Sequence, residues 1–225
     1  IPILVGYNIS DQEIHWQAIL LSPGSFPLFG VREEGTKKYD IKIKSERLIW
    51  GETRNTSYRY FFGRGGLNKL ITEANVLVIG VGALGSILSQ SLVRGGLKKI
   101  SLADHDIKEP ENVCRSDYHF QTGVTAKVLD LMNLLQSISP FVEVTPEETL
   151  MTASKFLIDQ TKYHKAIKDL LNEFDIIFDC STDNDVAYLL DKLELKSTIF
   201  NLSITNEAKE LICVVSPNLY SWLRT

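Results

Sequence analysis

Cysteine is scarce in this sequence, with only three among 225 residues. Cys114, Cys180 and Cys213 are far apart and form none of the closely spaced pairs that hold zinc. Three cysteines also cannot build the disulfide framework on which small secreted domains depend. We therefore expect no cysteine-ligated metal centre and a reducing compartment, which favours a cytoplasmic location.

The sequence also lacks an excess of basic residues and any long apolar segment. Its 24 lysines and arginines against 28 acidic residues give a formal net charge of −4, so nucleic acid is not an expected partner. No apolar run is long enough to cross a bilayer, and no charged-then-apolar leader opens the chain, so a membrane is not expected either. Because the sequence starts at Ile1 rather than at methionine, we expect a fragment or an excised domain.

Alternating strands and helices are what the sequence does contain from residue 76 onward. Apolar, mostly β-branched runs predict strands at 76–79, 100–103, 141–144, 175–180, 198–204 and 210–215. Apolar residues at helical spacing predict helices between most of them, at 83–97, 123–135, 154–174 and 185–195. This order predicts an α/β fold with a Rossmann-like, doubly wound, mostly parallel sheet, whose last two strands pair antiparallel at its far side.

Residues 1–57 have a different pattern. Two short runs, 3–7 and 15–21, are compatible with strands of a small sheet. Charged and apolar residues alternate over 37–47, as in an exposed edge strand or a hairpin arm. No set of catalytic residues is found there. We expect residues 1–57 to form a small N-terminal α+β or β accessory subdomain, and residues 58–225 to form a nucleotide-binding domain.

A glycine-rich turn separates the first strand of this second domain from its helix. Gly80, Gly82 and Gly85 have the G-x-G-x-x-G spacing, which leaves backbone N–H groups open to phosphate oxygens at a helix N-terminus. Asp104 follows the next strand, where a carboxylate can accept hydrogen bonds from ribose hydroxyls. The pattern predicts a nucleotide site, and its alternative is a tight strand–helix turn without a ligand.

Further polar residues follow the predicted strands. Because ligands of open α/β sheets lie across the carboxyl ends of the strands, these residues are expected to share one site. Arginine and lysine neutralise a polyphosphate, and a carboxylate across the site can hold Mg²⁺. The set suits a nucleoside triphosphate better than NAD, although an NAD-dependent oxidoreductase stays an alternative. Its members are Asp104, Asp106, Asn112, Arg115, Lys127 and Asp183.

Together these motifs resemble the ubiquitin-activating-enzyme-like adenylyltransferases, the ThiF/MoeB/HesA superfamily. The matching elements are GVGALG at 80–85, D-x-D at 104–106, N-x-x-R at 112–115, G-x-x-x-K at 123–127 and DCSTDN at 179–184. The segment YFFGRGGL, at 60–67, is similar to the arginine-bearing lead-in of that family. The resemblance covers residue 58 to about residue 215, and the N-terminal lobe looks most like that of bacterial multidomain relatives.

The resemblance implies ATP and Mg²⁺ as cofactors and adenylation of a C-terminal carboxylate, with release of pyrophosphate. The carboxylate would belong to a ubiquitin-like or sulfur-carrier protein, or to a peptide. Asp104 would hold the ribose, Asp183 would ligate Mg²⁺, and Arg59 or Arg64 would act as an arginine finger across a homodimer. The implied nucleotide-binding set is Gly80, Gly82, Ala83, Leu84, Gly85, Asp104, Asp106, Asn112, Arg115 and Lys127.

The sequence departs from the family pattern in two ways. The DCTDN motif of the family has one extra residue here, so Asp183 and Asp185 compete for the metal role. The paired C-x-x-C zinc motifs of many members are absent, and no cysteine has a convincing position for a thioester. A catalytically inactive scaffold that only binds a partner is a further alternative, against which the nucleotide-site residues are nearly all present.

Overall fold

The structure is a computed structural model that describes residues 1–11, 13–21, 31–32, 39–40, 48–147, 150 and 161–216. Most of segment 37–47 and the first part of the predicted helix 154–174 lie outside these residues. The chain divides into two compact units, Ile1–Phe61 and Phe62–Thr225.

The described residues of the first unit form two small antiparallel sheets. Strands β1 and β2, which confirm the runs predicted at 3–7 and 15–21, pair along nearly their whole length, and β2 also pairs with β5. A β-carbon at Gly6 would lie 2.9 Å from the Trp16 ring, so this glycine lets the indole pack across its neighbour strand. The strands are β1 Pro2–Ser10, β2 Glu13–Leu21, β3 Val31–Arg32, β4 Tyr39–Asp40 and β5 Leu48–Gly51.

The second unit is built on a six-stranded sheet whose order is β11-β10-β9-β6-β7-β8. Its neighbours pair in parallel except β10 and β11, which pair antiparallel at one edge. The predicted mostly parallel, doubly wound sheet is therefore confirmed. The strands are β6 Asn75–Ile79, β7 Lys99–Ala103, β8 Glu143–Pro146, β9 Ile176–Asp179, β10 Thr198–Thr205 and β11 Glu210–Ser216.

Helices cover both faces of this sheet and bury two apolar clusters. On one face Val76 and Val78 pack with residues of the third and fourth helices, and on the other Leu77 packs with those of the fifth and sixth. Alternate residues of β6 thus point to opposite cores, as expected for a central parallel strand. The helices in the described ranges are α1 Tyr58–Phe62, α2 Lys69–Thr72, α3 Ala83–Arg94, α4 Lys127–Ile138, α5 Thr161–Leu171 and α6 Asn184–Lys192.

The strand order creates a crevice at one end of the sheet. From β6 the chain continues to β7 on one side, whereas β9 lies on the other side of β6. The loops after β6 and β9 therefore run in opposite directions and leave space between them, where open α/β folds bind ligands.

Among the described helices, none has both the length and the apolar character needed to cross a membrane.

Candidate functional site

The glycine-rich turn links β6 to α3, and two of its glycines are required by the backbone. Gly80 has a φ of +79°, and an added β-carbon would lie 2.6 Å from the Ser181 nitrogen, so both conformation and space exclude a side chain. A β-carbon at Gly85 would lie 2.0 Å from the Gly80 carbonyl oxygen. These two glycines let the turn close tightly and let α3 approach it.

Gly82 differs because no atom lies within 4 Å of its missing β-carbon. It precedes α3 and provides no side chain that caps the helix. The N–H groups of the first helical turn are therefore open to an outside acceptor, at the end of the helix that carries its positive partial charge. This arrangement suits an anion such as a phosphate.

Asp104, at the end of β7, binds the backbone of this turn. Its Oδ2 accepts a hydrogen bond from the Val81 nitrogen at 2.8 Å, and its Oδ1 accepts one from the Asp106 nitrogen at 2.9 Å. Each carboxylate oxygen has a second lone pair, so both can still accept from hydroxyl groups of a ligand. The carboxylate is thus held rigidly and keeps capacity for a ribose.

Lys127 is the first residue of α4 and pairs with Asp106. Its Nζ lies 2.7 Å from Asp106 Oδ2, and its backbone nitrogen donates to the Asp106 carbonyl oxygen at 3.1 Å. The residue is only 8% exposed, which restricts its ammonium to this position. The hydrogen bond from Lys127 lowers the pKa of the Asp106 carboxyl below its usual value. An ammonium has three donors, so Lys127 can bind Asp106 and an anion at the same time.

Asn112 and Arg115 lie in the long segment between β7 and α4. Asn112 is buried and ends a short 3₁₀ turn, where its Oδ1 accepts from the Glu109 nitrogen at 2.8 Å. Arg115 is exposed, and no ion pair of its guanidinium is found within the described part of the chain. A fixed amide and an unpaired guanidinium are suited to bind phosphate oxygens.

The loop after β9 faces the glycine turn and is built on a buried carboxylate. Asp179 accepts hydrogen bonds from the nitrogen and the hydroxyl of Ser181, at 3.0 and 2.6 Å, and from Asn201 at 2.9 Å. Burial raises the pKa of the Asp179 carboxyl despite these hydrogen bonds. Thr182 has a φ of +56°, and Asp183 then caps α6 by accepting from the Asp185 nitrogen at 2.8 Å.

These elements enclose a cleft of about 340 Å³ at the carboxyl end of the sheet. Nine of the residues predicted for nucleotide binding line it, and Gly85 lies behind them in α3. The nine are Gly80, Gly82, Ala83, Leu84, Asp104, Asp106, Asn112, Arg115 and Lys127.

The predicted metal and arginine-finger residues lie elsewhere. Asp183 lines a smaller cavity of about 120 Å³ that also contacts Asp104, His105 and Asp106, whereas Asp185 lines neither cavity. Ligand atoms of Asp104, His105 and Asp106 all lie within 4.8 Å of one another. Arg64 is exposed and lines neither cavity. Arg59 belongs to the other compact unit.

Sequence reasoning missed several residues that shape the cleft. The Tyr118 hydroxyl is buried and donates to the Val81 carbonyl oxygen at 2.5 Å, so the glycine turn is held from both sides. Burial raises the pKa of this hydroxyl. No motif signal marks Tyr118, which lies three residues beyond the N-x-x-R element. The others line the cleft itself: Ser116 and Ile204, which no motif marks, and Cys180, Ser181 and Thr182, which lie in the motif at 179–184 but are not among the predicted site residues.

Comparison with known proteins adds sequence relatives and a solved structure. The chain is 25% identical over 215 residues to the ATP-dependent ubiquitin transferase-like protein Cap2 of Enterobacter hormaechei subsp. hoffmannii, covering 90% of this chain and 34% of that protein. It is 30% identical over 121 residues to the adenylyltransferase and sulfurtransferase MOCS3 of Bos taurus, covering 53% and 24%. The chain thus spans about a third of the length of Cap2 and about a quarter of the length of MOCS3.

The fold is also found in the crystal structure of E. coli tRNA N6-threonylcarbamoyladenosine dehydratase, TcdA, in complex with AMP. That structure matches with a TM-score of 0.52 and 18% identity, covering 71% of this chain and 70% of that chain. The ThiF family matches residues 53–203, which include the glycine turn, the segment of Asn112 and Arg115, and the loop after β9. Since the match spans more than half of the sequence, the chain belongs to the ThiF family.

Proposed function

We propose that this protein catalyses the ATP- and Mg²⁺-dependent adenylation of the C-terminal carboxylate of a ubiquitin-like protein, a sulfur-carrier protein or a peptide. The observation that carries the proposal is the lining of the cleft after β6, where an open helix N-terminus, Lys127 and Arg115 meet the Asp104 carboxylate. Three sources of positive charge suit a triphosphate, and the carboxylate suits its ribose. Residues 58–225 would form the adenylation domain, with 1–57 as an accessory subdomain.

In this reaction an oxygen of the substrate carboxylate attacks the α-phosphate of ATP. A new bond forms between carboxylate oxygen and phosphorus, the bond from the α-phosphorus to the bridging oxygen breaks, and pyrophosphate leaves with that electron pair. The nucleophile comes from the substrate, so the protein needs only to position the reactants and stabilise charge. Lys127, Arg115 and Asn112 would bind phosphate oxygens, and the first turn of α3 would add its N–H groups.

The state of Cys180 supports a first step without a protein nucleophile. Cys180 lines the cleft, but burial raises the pKa of its thiol to about 12. A neutral thiol is a poor nucleophile, so Cys180 is not suited to accept the acyl group at neutral pH.

Carboxylate oxygens near the cleft fit a magnesium ion. Mg²⁺ prefers oxygen ligands and commonly binds one or two carboxylates together with substrate phosphates. Asp183 is the best candidate because it lines the cavity that also contacts Asp104 and Asp106, while Asp185 does not. When bound, Mg²⁺ would neutralise charge on the phosphates. Arg59 or Arg64 would complete the site as an arginine finger from a second subunit of a homodimer.

Nucleotide binding measured by calorimetry tests the proposal. The wild-type chain should bind ATP–Mg²⁺ more tightly than NAD⁺, and Arg115→Ala should weaken ATP binding strongly. Arg94→Ala is the matched control because Arg94 is also an exposed arginine and lies at the far end of α3. Binding of NAD⁺ alone would favour an oxidoreductase, and binding of neither nucleotide would favour a scaffold.

Pyrophosphate exchange in the presence of a carrier protein or peptide then tests the chemical step. For the metal role Asp183→Asn is the informative variant, since asparagine keeps the helix cap and removes only the negative charge. Exchange should be nearly abolished in Asp183→Asn and in Arg115→Ala. Wild-type exchange rates in either variant would refute the assignment of that residue.

A further inference from the structure

A buried lysine without a role in the proposed chemistry lies beneath the segment that carries Asn112 and Arg115. The side chain of Lys108 is 3% exposed, and its Nζ lies 2.8 Å from Asp130 Oδ2 in α4. The same Nζ donates to the His119 carbonyl oxygen at 2.9 Å and to the Thr122 hydroxyl. All three donors of the ammonium are therefore satisfied inside the protein. We call Lys108, His119, Thr122 and Asp130 the Lys108 clasp.

Backbone contacts close the same segment into a loop. The Lys108 nitrogen donates to the Thr125 carbonyl oxygen at 2.7 Å, and Ile107 forms an antiparallel bridge with Ala126. Residues 106–108 thus pair with residues 125–127 and bring the two ends of segment 109–124 together. The Lys108 clasp lies next to these paired residues. It connects the later part of the loop, at His119 and Thr122, to α4.

The loop closed in this way carries two of the residues that line the cleft. Asn112 and Arg115 lie between Lys108 and the clasp residues His119 and Thr122. The regular structure in this loop is limited to two three-residue 3₁₀ turns, Pro110–Asn112 and Phe120–Thr122. Tyr118 binds the glycine turn and holds the part of the loop that faces the cleft. The Lys108 clasp holds the part of the loop that leads into α4.

We propose that Lys108 is a positioning residue of the nucleotide site. Its buried ammonium holds segment 109–124 against α4 and thereby keeps Asn112 and Arg115 at the phosphate end of the cleft. Buried ion pairs often add little net stability but can select one arrangement over others, because each buried charge needs its partners in place. This inference rests on the proposed function, since it assumes that Asn112 and Arg115 bind phosphates.

The test replaces both charges of the clasp at once, as Lys108→Met with Asp130→Leu. Removing the pair together leaves no unpaired buried charge, so the fold is expected to be retained. We expect the Kd for ATP–Mg²⁺ to rise at least about tenfold and the Kd for adenosine to change less than about twofold, because misplacement affects only the phosphate end. The matched control is Lys98→Met with Glu73→Leu, which removes a partly exposed pair of 2.6 Å elsewhere in the unit.

Unchanged ATP affinity in the clasp variant would overturn the inference. An equal loss of ATP and adenosine affinity would also overturn it, because that result indicates general damage to the site. Amide hydrogen exchange of the ligand-free protein gives a readout that does not depend on ATP. Residues 109–122 should exchange faster in the clasp variant than in the control, and unchanged exchange overturns the inference whatever the nucleotide result.

The same pair of measurements separates this inference from the proposed function. A wild-type chain that binds no ATP, together with faster exchange in the clasp variant, would refute the proposed function and with it the phosphate role. The ordering of segment 109–124 by Lys108 would then still be supported.

Discussion

Gly82 and Gly85 lie three residues apart in the glycine turn and should respond to alanine in opposite ways. A β-carbon at Gly85 would lie 2.0 Å from the Gly80 carbonyl oxygen and 3.4 Å from the Val78 side chain. Ordinary contacts begin near 3.5 Å, so α3 would have to move by roughly 1 Å or more against a buried strand. Overpacking of this kind costs about 1–3 kcal/mol, and we expect the upper end because the opposing atom is backbone.

For a unit of this size, about 3 kcal/mol corresponds to a fall of roughly 6–12 °C in Tm. Gly82→Ala should instead lower stability less than Gly85→Ala does, since no atom lies within 4 Å of the missing β-carbon of Gly82. Its methyl group would occupy space through which, in the proposed complex, a phosphate would approach α3. We therefore expect Gly82→Ala to bind ATP–Mg²⁺ at least about tenfold more weakly.

Thermal unfolding without nucleotide and calorimetric titration with ATP–Mg²⁺ check both halves of this prediction. Each variant serves as the control for the other, because they add the same methyl group to the same turn. A Gly85→Ala protein as stable as wild type would refute the packing argument. A Gly82→Ala protein with wild-type ATP affinity would show that the ligand does not approach the helix at this point.

Three further predictions concern groups around the cleft. Tyr118→Phe leaves the Val81 carbonyl without its donor and should lower the free energy of unfolding by about 1–3 kcal/mol in urea titrations; no change would show that water replaces the hydroxyl. The pKa of Asp106 is lowered in the fold, so its contribution to stability is complete above about pH 4 and is lost as the pH falls through the lowered value. Asp106→Asn should remove this part of the acid dependence. Cys180 should resist alkylation at pH 8 while the two exposed cysteines react. Mass spectrometry of the labelled peptides checks this, and labelling of Cys180 as fast as that of the exposed cysteines would contradict it.

The strands of the second unit could be predicted from the sequence because buried parallel strands are short, continuous apolar runs. Helix ends were less accurate, and the helix predicted to reach Leu97 ends at Arg94. The reason is local, since Gly95 closes the helix and Gly96 has a φ of +96°. The glycine pair was a usable stop signal. In contrast, the aromatic segment 58–62 carries no comparable helix signal, and the structure forms α1 there.

The candidate site could be predicted only where a motif marks it. The glycines, Asp104, Asn112, Arg115 and Lys127 stand at spacings that have a chemical reason, and all of them line the cleft or support it. Ile204 lies at the cleft because of the order of the strands, and Ser116 because of the path of its loop. Neither feature can be read from the neighbouring residues in the sequence. Lys108 resembles a solvated lysine in the sequence, and only the closed loop reveals that it is buried.

The position of Lys127 explains why the motif needs Asp106 as well. A cation at the first residue of a helix is disfavoured by the positive end of the helix dipole, and burial adds a desolvation cost. Asp106 offsets both costs through its carboxylate, and its backbone carbonyl fixes the start of α4. The Asp106 side chain is about half exposed, so solvent weakens its hold on the ammonium. In the proposed complex a polyphosphate would meet a lysine that Asp106 orients and that still has donors free. Asp106→Ala should therefore weaken ATP binding by releasing Lys127 rather than by removing a ligand contact.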